Sequence, residues 1–334
     1  MASRIVANIS EAPKKRTSVQ RTVLRSTLTR TISALLVSSF VTERPAVAGA
    51  LGALVIAFSA ILVRLAEVSP STAAFFRCLY ALPALGLLAW IERKRYGPRP
   101  RRDRLLGYGA GALLAVDLTV WHHSIEAVGA GLATVLGNIQ VVFVGLLAWA
   151  ALGERPDNRE LASIPVVFLG VVLISGVVGA GAYGDDPVLG VVYGLLTALS
   201  YALFILILRQ GNSDLRRPGG PLFDATLTAA LVSALGGVAV GDIDWVPGLE
   251  SQAWLVLLAM SSQVLGWLLI SISLPRLPAV VTSILLMLQP VGAVILATVL
   301  LSEAPSAVQL AGVAVVLCGV AAATIKPRPA RVPA

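Results

Sequence analysis

Ten apolar stretches, at residues 47–66, 72–91, 105–122, 129–152, 161–179, 188–208, 221–240, 252–273, 279–301 and 307–325, constrain this chain more than any other feature. An α-helix needs about 20 apolar residues to cross a hydrocarbon core about 30 Å thick. Each stretch is of that order, and runs such as Val141-Val142-Phe143-Val144-Gly145-Leu146-Leu147-Ala148 lack the polar/apolar alternation of a barrel strand. The fold class expected is therefore all-α and integral to the membrane, with ten transmembrane helices. Composition agrees: only 13% of the residues are charged, about half the share that coats a soluble globule. That excludes a soluble enzyme, a disulfide-stapled secreted domain and a disordered chain. Cys78 and Cys318 lie in apolar runs without metal-type spacing and read as small buried hydrophobes.

The formal net charge of +8 is concentrated in a tail. Residues 1–44 carry Arg4, Lys14, Lys15, Arg16, Arg21, Arg25, Arg30 and Arg44 against Glu11 and Glu43. A basic tail beside a spanning helix serves topology and anionic headgroups, so nucleic acid is not an expected partner. Residues 31–41 imitate a signal peptide but precede no soluble domain, and residues 1–46 are expected to form a disordered or surface-lying tail.

Lys and Arg then sort the loops into two sets. Segments 92–104, 153–160, 209–220, 274–278 and 326–334 are rich in them, including Arg93, Lys94, Arg95, Arg99, Arg155, Arg216, Arg217, Arg276 and Lys326. The intervening loops hold none, and carry Glu67, Glu126, Asp185, Asp186, Asp242, Asp244, Glu250 and Glu303 instead. The positive-inside rule puts the first set, both termini and residues 326–334 in the cytoplasm of a cell carrying the chain in its cytoplasmic membrane.

A shift of 149 residues lays the fourth and fifth stretches over the ninth and tenth. Gln140 then meets Gln289, Glu154 meets Glu303, Pro156 meets Pro305, and Gly170-Val171 meets Gly319-Val320. Two five-helix units result, 47–179 and 188–325. An odd number of spans per unit requires the second to insert upside down. Inverted repeats of this kind are an architecture of secondary transporters, with the solute near the midplane.

The ten stretches, the duplication, and the paired helix ends LLAWAALGERP and ILATVLLSEAP resemble the EamA-type family of the drug/metabolite transporter superfamily over residues 47–325. The second copy departs from the pattern, with Ser302 for Gly153 and Ala304 for Arg155. The resemblance implies a carrier of small metabolites, amino-acid-like or drug-like, with efflux as its direction, a cavity between the halves and no cofactor.

Polar side chains inside apolar helices need a reason to be there. Gln140, Gln263 and Gln289 fall near the middle of their spans, with Asn138 and Tyr201 within about a turn. They bond helix to helix or line a cavity for a polar solute, and their common depth favours the cavity. Trp267, one turn from Gln263, stacks on a solute or packs in the core. Asp117, placed five residues from the end of its span, has Arg77 and Arg64 as candidate partners near the outer end. An ion pair, a gating charge and a proton carrier all remain open for it. His122 and His123 are expected at the interface, as are Trp90, Trp121, Trp149, Trp245 and Trp254. No metal site is expected from the paired histidines. A carrier for a small-molecule solute, in the bilayer and with a homodimer allowed, is the expectation. Its competitors are a channel or scaffold, and a membrane enzyme using Ser124 beside the two histidines.

Overall fold

The structure is a computed structural model that describes residues 44–152, 158–178, 181–211, 214, 216–273, 277, 285–286 and 288–324. The tail before residue 44, the segment around Glu154, Arg155 and Pro156, Arg276, Pro278, most of 279–287, and the end from residue 325 lie outside the described residues. Among those described, every regular element is helical.

Helices α1 (Pro45–Ala57) and α2 (Ser59–Ala66) form the first apolar segment. They are followed by α3 (Pro70–Tyr96), α4 (Arg101–Val128), α5 (Ala130–Gly137), α6 (Gln140–Leu152) and α7 (Asn158–Ile174). The second half holds α8 (Pro187–Gly211), α9 (Gly219–Val240), α10 (Leu249–Leu258), a π-helical segment (Ala259–Gly266), α11 (Trp267–Ser273), α12 (Leu288–Leu300) and α13 (Ala307–Thr324). Seven helices or helix pairs are long and apolar enough to cross a membrane, and 161–174, 288–300 and 307–322 are shorter apolar helices.

Local chemistry sets the ends. Ser69 caps α3 by accepting from Thr72 N–H at 3.3 Å, with Pro70 at the first helical position, where its missing N–H costs nothing. The same helix ends on Arg93, Lys94 and Arg95, which suit its negative C-terminal dipole, and on Gly97 at φ 81°. Helix α4 outruns its expected span at both ends, because a charged first turn and the polar turn around His123 remain helical. It stops at Gly129, φ 90°, which also opens α5. A Cβ there would lie 2.8 Å from a Glu303 carboxylate oxygen and from the Tyr183 ring, so only glycine fits.

The packing is inverted relative to a soluble domain. Small residues such as Ala53, Ala57, Ala60, Ala73, Ala130 and Ala133 fill the interior, while Phe168, Leu235, Val240 and Val299 stand outside. That distribution suits helices packed backbone to backbone inside lipid. Gly190 and Gly194 seat α8 against Val128 and Leu136, and Gly107 and Gly111 seat α4 against Asp224 and Ala225 of α9.

Neighbour relations fix the directions of several helix pairs. Gly219 meets Leu88 and Gly237 meets Ser71, so α3 and α9 run antiparallel. Gly170 meets Val316 and Gly319 meets Val167, so α7 and α13 do too. Gly131, near the start of α5, meets Val294 and Ala297, while Gly137 at its end shares a cavity with Gln289 near the start of α12, so α5 and α12 are antiparallel as well.

Among the described residues, loops of each set meet one another, at opposite ends of the bundle. At the acid-rich end Ser69 Oγ donates to the Asp242 carbonyl, Asp186 N–H to the Ala127 carbonyl, and Tyr183 N–H to Gln309 Oε1. At the basic end Arg99 pairs with Asp224 at 2.6 Å, and Arg217 Nη1 donates to the Gly97 carbonyl. Asp214 lies between Arg216 and Arg217, and the Arg216 hydrogen bond holds its carboxyl below the usual carboxylate range.

Two carboxylates close helix N-termini at opposite ends. Glu92 accepts from Gly219 and Gly220 N–H, both at 2.8 Å, and Glu303 from Ala130 and Gly131 N–H at 2.7 and 3.1 Å. Each satisfies backbone donors that a helix start leaves unpaired and meets the positive end of the helix dipole.

Candidate functional site

Midway along the bundle a cavity brings together residues from both halves. Arg77 of α3, Asp117 and Trp121 of α4, Thr134 of α5 and Asn138 line it from the first half. Thr197 and Tyr201 of α8, Trp267 of α11 and Gln289 of α12 line it from the second. Irregular backbone lies beside it. Helices α5 and α6 part at Asn138-Ile139, where Val142 N–H bonds the carbonyl three residues back instead of four. The π segment places Gln263 behind Arg77. Breaks and π-turns within apolar segments are tolerated where they are buried or line a cavity, and they recur at binding sites.

Arg77 is the centre of the arrangement and is only 3% exposed. Its Nε donates to Gln263 Oε1 at 3.0 Å, and Gln263 Nε2 donates to Thr226 Oγ1 at 3.2 Å. The guanidinium carbon lies 5.8 Å from the Trp121 ring centroid, within cation–π range. Nη1 has no hydrogen-bond partner, and neither has Thr197 Oγ1 on the same cavity. Tyr201 and Trp267 meet edge to face at 5.9 Å and form an aromatic wall with Phe204 behind.

Of the residues singled out from sequence, Asn138, Tyr201, Trp267, Gln289, Asp117 and Arg77 line this cavity. Gln263 stands behind it as the anchor of Arg77. Gln140 is buried with Oε1 unpartnered but is not among the lining residues. Arg64 is exposed and separate: it acts electrostatically on Tyr183, whose phenol is pushed up by burial and by Glu303.

Several expectations are corrected. Asp117 is eleven residues short of Val128, about 16 Å along the helix, so it belongs to the middle of the bundle. No ion pair of 4 Å or less joins it to Arg77 among the described residues; the two line the same cavity and attract each other electrostatically. Trp121, expected at the interface, lines the cavity, while Trp254 packs on the core. His122 is buried, with Nδ1 3.1 Å from the Pro70 carbonyl. Ser124 donates its hydroxyl to the Gly190 carbonyl at 2.8 Å. Cys318 is exposed, since its face of α13 looks outward, whereas Cys78 is buried.

Thr197, Thr134 and Trp121 were missed by sequence reasoning. Thr197 lies three residues after Gly194 on a small-residue helix face, and that juxtaposition was the available signal. A second pocket, at the basic end, is lined by Trp90, Glu92, Arg99, Arg217 and Asp224. Its ionic groups bond one another and neighbouring backbone.

The model of the EamA-like transporter family matches residues 43–176 and again 188–325. The chain belongs to that family. It is similar to an uncharacterized transporter, YxxF, of Bacillus subtilis, with 26% identity over 75% of this chain and 80% of the relative. It is also similar to an uncharacterized transporter of Archaeoglobus fulgidus, with 25% identity over 80% of this chain and 92% of the relative. A protein of known crystal structure shares the fold, with a TM-score of 0.57 and 18% identity over 84% of this chain and 96% of that one. This EamA-family chain is thus a multi-pass membrane protein of two repeats, and its named relatives are transporters.

Proposed function

We propose that the protein is a secondary carrier that moves a small polar or amphipathic metabolite across the cytoplasmic membrane by alternating access. The observation that carries this reading is the mid-bundle cavity, walled by both halves and holding Arg77, Asp117, Asn138 and Gln289 where lipid or apolar packing would prefer leucine. A cavity at the seam between two repeats opens to either side when the halves rock against each other.

In this reading the ten apolar segments are ten spans in two five-helix units, 47–179 and 188–325, the second inverted. The antiparallel contacts of α3 with α9, α5 with α12 and α7 with α13 support inversion, because a repeat turned over in the membrane runs antiparallel to its mate. The sorting of basic and acidic loops to opposite ends supports cytoplasmic termini. Residues 1–46 and 326–334 are then cytoplasmic tails. Efflux follows the family likeness, and an amino-acid-like or drug-like solute suits the mixed polar and aromatic lining.

The test is counterflow in proteoliposomes preloaded with amino acids, amines or sugars. Saturable counterflow of one solute class supports a carrier, and non-saturating flux with unitary currents overturns it for a channel. Topology is tested by single cysteines at Asn158 and Ala304 in a background lacking Cys78 and Cys318. Labelling of both from the same side of intact cells defeats the inverted arrangement.

A further inference from the structure

A guanidinium carries five N–H donors in a rigid fork, and burying one without an acceptor costs free energy that a bound anion recovers. Arg77 spends Nε on Gln263 and holds its guanidinium carbon 5.8 Å from the Trp121 ring centroid, two contacts that restrain the fork. Nη1 is left without a partner in a residue 3% exposed. Thr197, equally buried on the wall of the same cavity, leaves its hydroxyl unpartnered as well. A planar oxyanion in this cavity is the chemistry that would satisfy both groups, accepting one charge-assisted hydrogen bond from Arg77 and one from the Thr197 hydroxyl.

Two features narrow the class of anion. Arg77 is the only cation among the described lining residues, and Asp117 faces the same space, so each negative charge the solute brings adds to the excess in a low-dielectric site, and a doubly charged phosphate is disfavoured more than a single carboxylate. The rest of the wall is aromatic and apolar: Trp121, Tyr201, Trp267 and Leu118. Taking the cavity as the solute site of the proposed carrier, we infer that Arg77 and Thr197 form the subsite for a single carboxylate on the transported solute, whose flat or apolar body lies against the Trp121, Tyr201 and Trp267 rings. Gln263 is a positioning residue for this subsite, acting through Arg77.

The test uses the purified full-length chain and three probes of nearly the same shape: benzoate, benzamide and benzylammonium. Saturable thermal stabilisation by benzoate, with an affinity about tenfold or more above that of the other two, is the expected result, since a charge-assisted hydrogen bond is worth about a factor of ten. Arg77→Gln should remove about tenfold of the benzoate affinity and leave benzamide within about twofold. Thr197→Val, which exchanges a hydroxyl for a methyl of similar size and leaves the charge unchanged, should weaken benzoate about threefold. Equal or tighter binding of benzylammonium or benzamide overturns the assignment. So does benzoate binding unchanged in both variants, or the binding of no probe at all. Counterflow separates the two readings. A carrier that exchanges another solute class while ignoring benzoate sinks the carboxylate subsite alone, and a chain with no counterflow of any solute sinks the carrier itself.

Discussion

Arg77 donates through Nε to Gln263 Oε1 at 3.0 Å, a bond between side chains 186 residues apart in sequence. It ties the first half of the chain to the second immediately behind the cavity. Its donor is a buried charge and its acceptor comes from a π-helical segment, so the backbone irregularity and the ionic group are one construction.

Replacement of Gln263 by Leu strips Arg77 of its hydrogen-bonding partner and leaves Nε as well as Nη1 without an acceptor. A loss of about 2–3 kcal/mol of stability is expected, the cost of a charged donor left buried without an acceptor. Gln263→Glu keeps the acceptor oxygen and adds opposite charge, and should retain most of the stability. Thermal unfolding of the three proteins in detergent checks this, and equal midpoints for Leu and wild type would refute it.

Glu303→Ala removes the acceptor for both Ala130 and Gly131 N–H at the start of α5. Both donors lie in a buried helix start, so about 2–4 kcal/mol should be lost, with Glu303→Gln losing about half of that because one carbonyl oxygen remains. The defect should be local. Hydrogen exchange at amides 130 and 131 should accelerate well before that of α9, whose N-terminus is held by Glu92.

The architecture was legible because hydropathy and loop charge report directly on what lipid and topology demand. Seven helices long and apolar enough to span and three shorter apolar ones overlap the apolar stretches, and Asn138, Gln289 and Asp117 line one cavity. Helix ends were less legible: α4 runs to Val128, beyond the apolar stretch, since helicity continues where hydropathy falls. That extension moved Asp117 from near one end to the middle and carried Trp121 inward with it. Thr197 left only a faint mark, its place after Gly194, because a threonine among small residues is ordinary, and the π segment left none, because a π-turn has no compositional signature. Gln140 was overread, for an amide at the right depth does not reveal which way its helix faces.

Asp214 offers a pH test outside the spans. Its carboxyl is held below the ordinary range by Arg216, so its contribution is fully present above the unfolded carboxylate pKa of about 3.9 and disappears as pH falls through the lower folded value. The midpoint difference between wild type and Asp214→Asn should therefore be flat from about pH 8 to about pH 5 and vanish only in strong acid. It should also be small, because the group is partly exposed and screened. A difference that fades between pH 7 and pH 5 would contradict the ion pairs with Arg216 and Arg217.

Gly109 and Gly111 provide a matched pair on one helix. A Cβ at Gly111 would clash with the Ala225 carbonyl oxygen and lie 2.8 Å from Thr228 Cβ, whereas one at Gly109 meets nothing within 4 Å. The first clash is with backbone, which no rotamer change relieves, so α4 and α9 must separate. Alanine otherwise favours a helix over glycine by about 1 kcal/mol. Gly109→Ala should thus leave the unfolding midpoint unchanged or raise it. Gly111→Ala should lower it despite the same gain in propensity, by about 1–3 kcal/mol of overpacking net of that gain. Because α4 carries Asp117 and Trp121 and α9 carries Thr226, the partner of Gln263, separation at Gly111 should also loosen the support of Arg77. The double substitution Gly111→Ala with Gln263→Leu should then cost less than the sum of the two, and strict additivity would mean that the helix contact and the Arg77 anchor are independent.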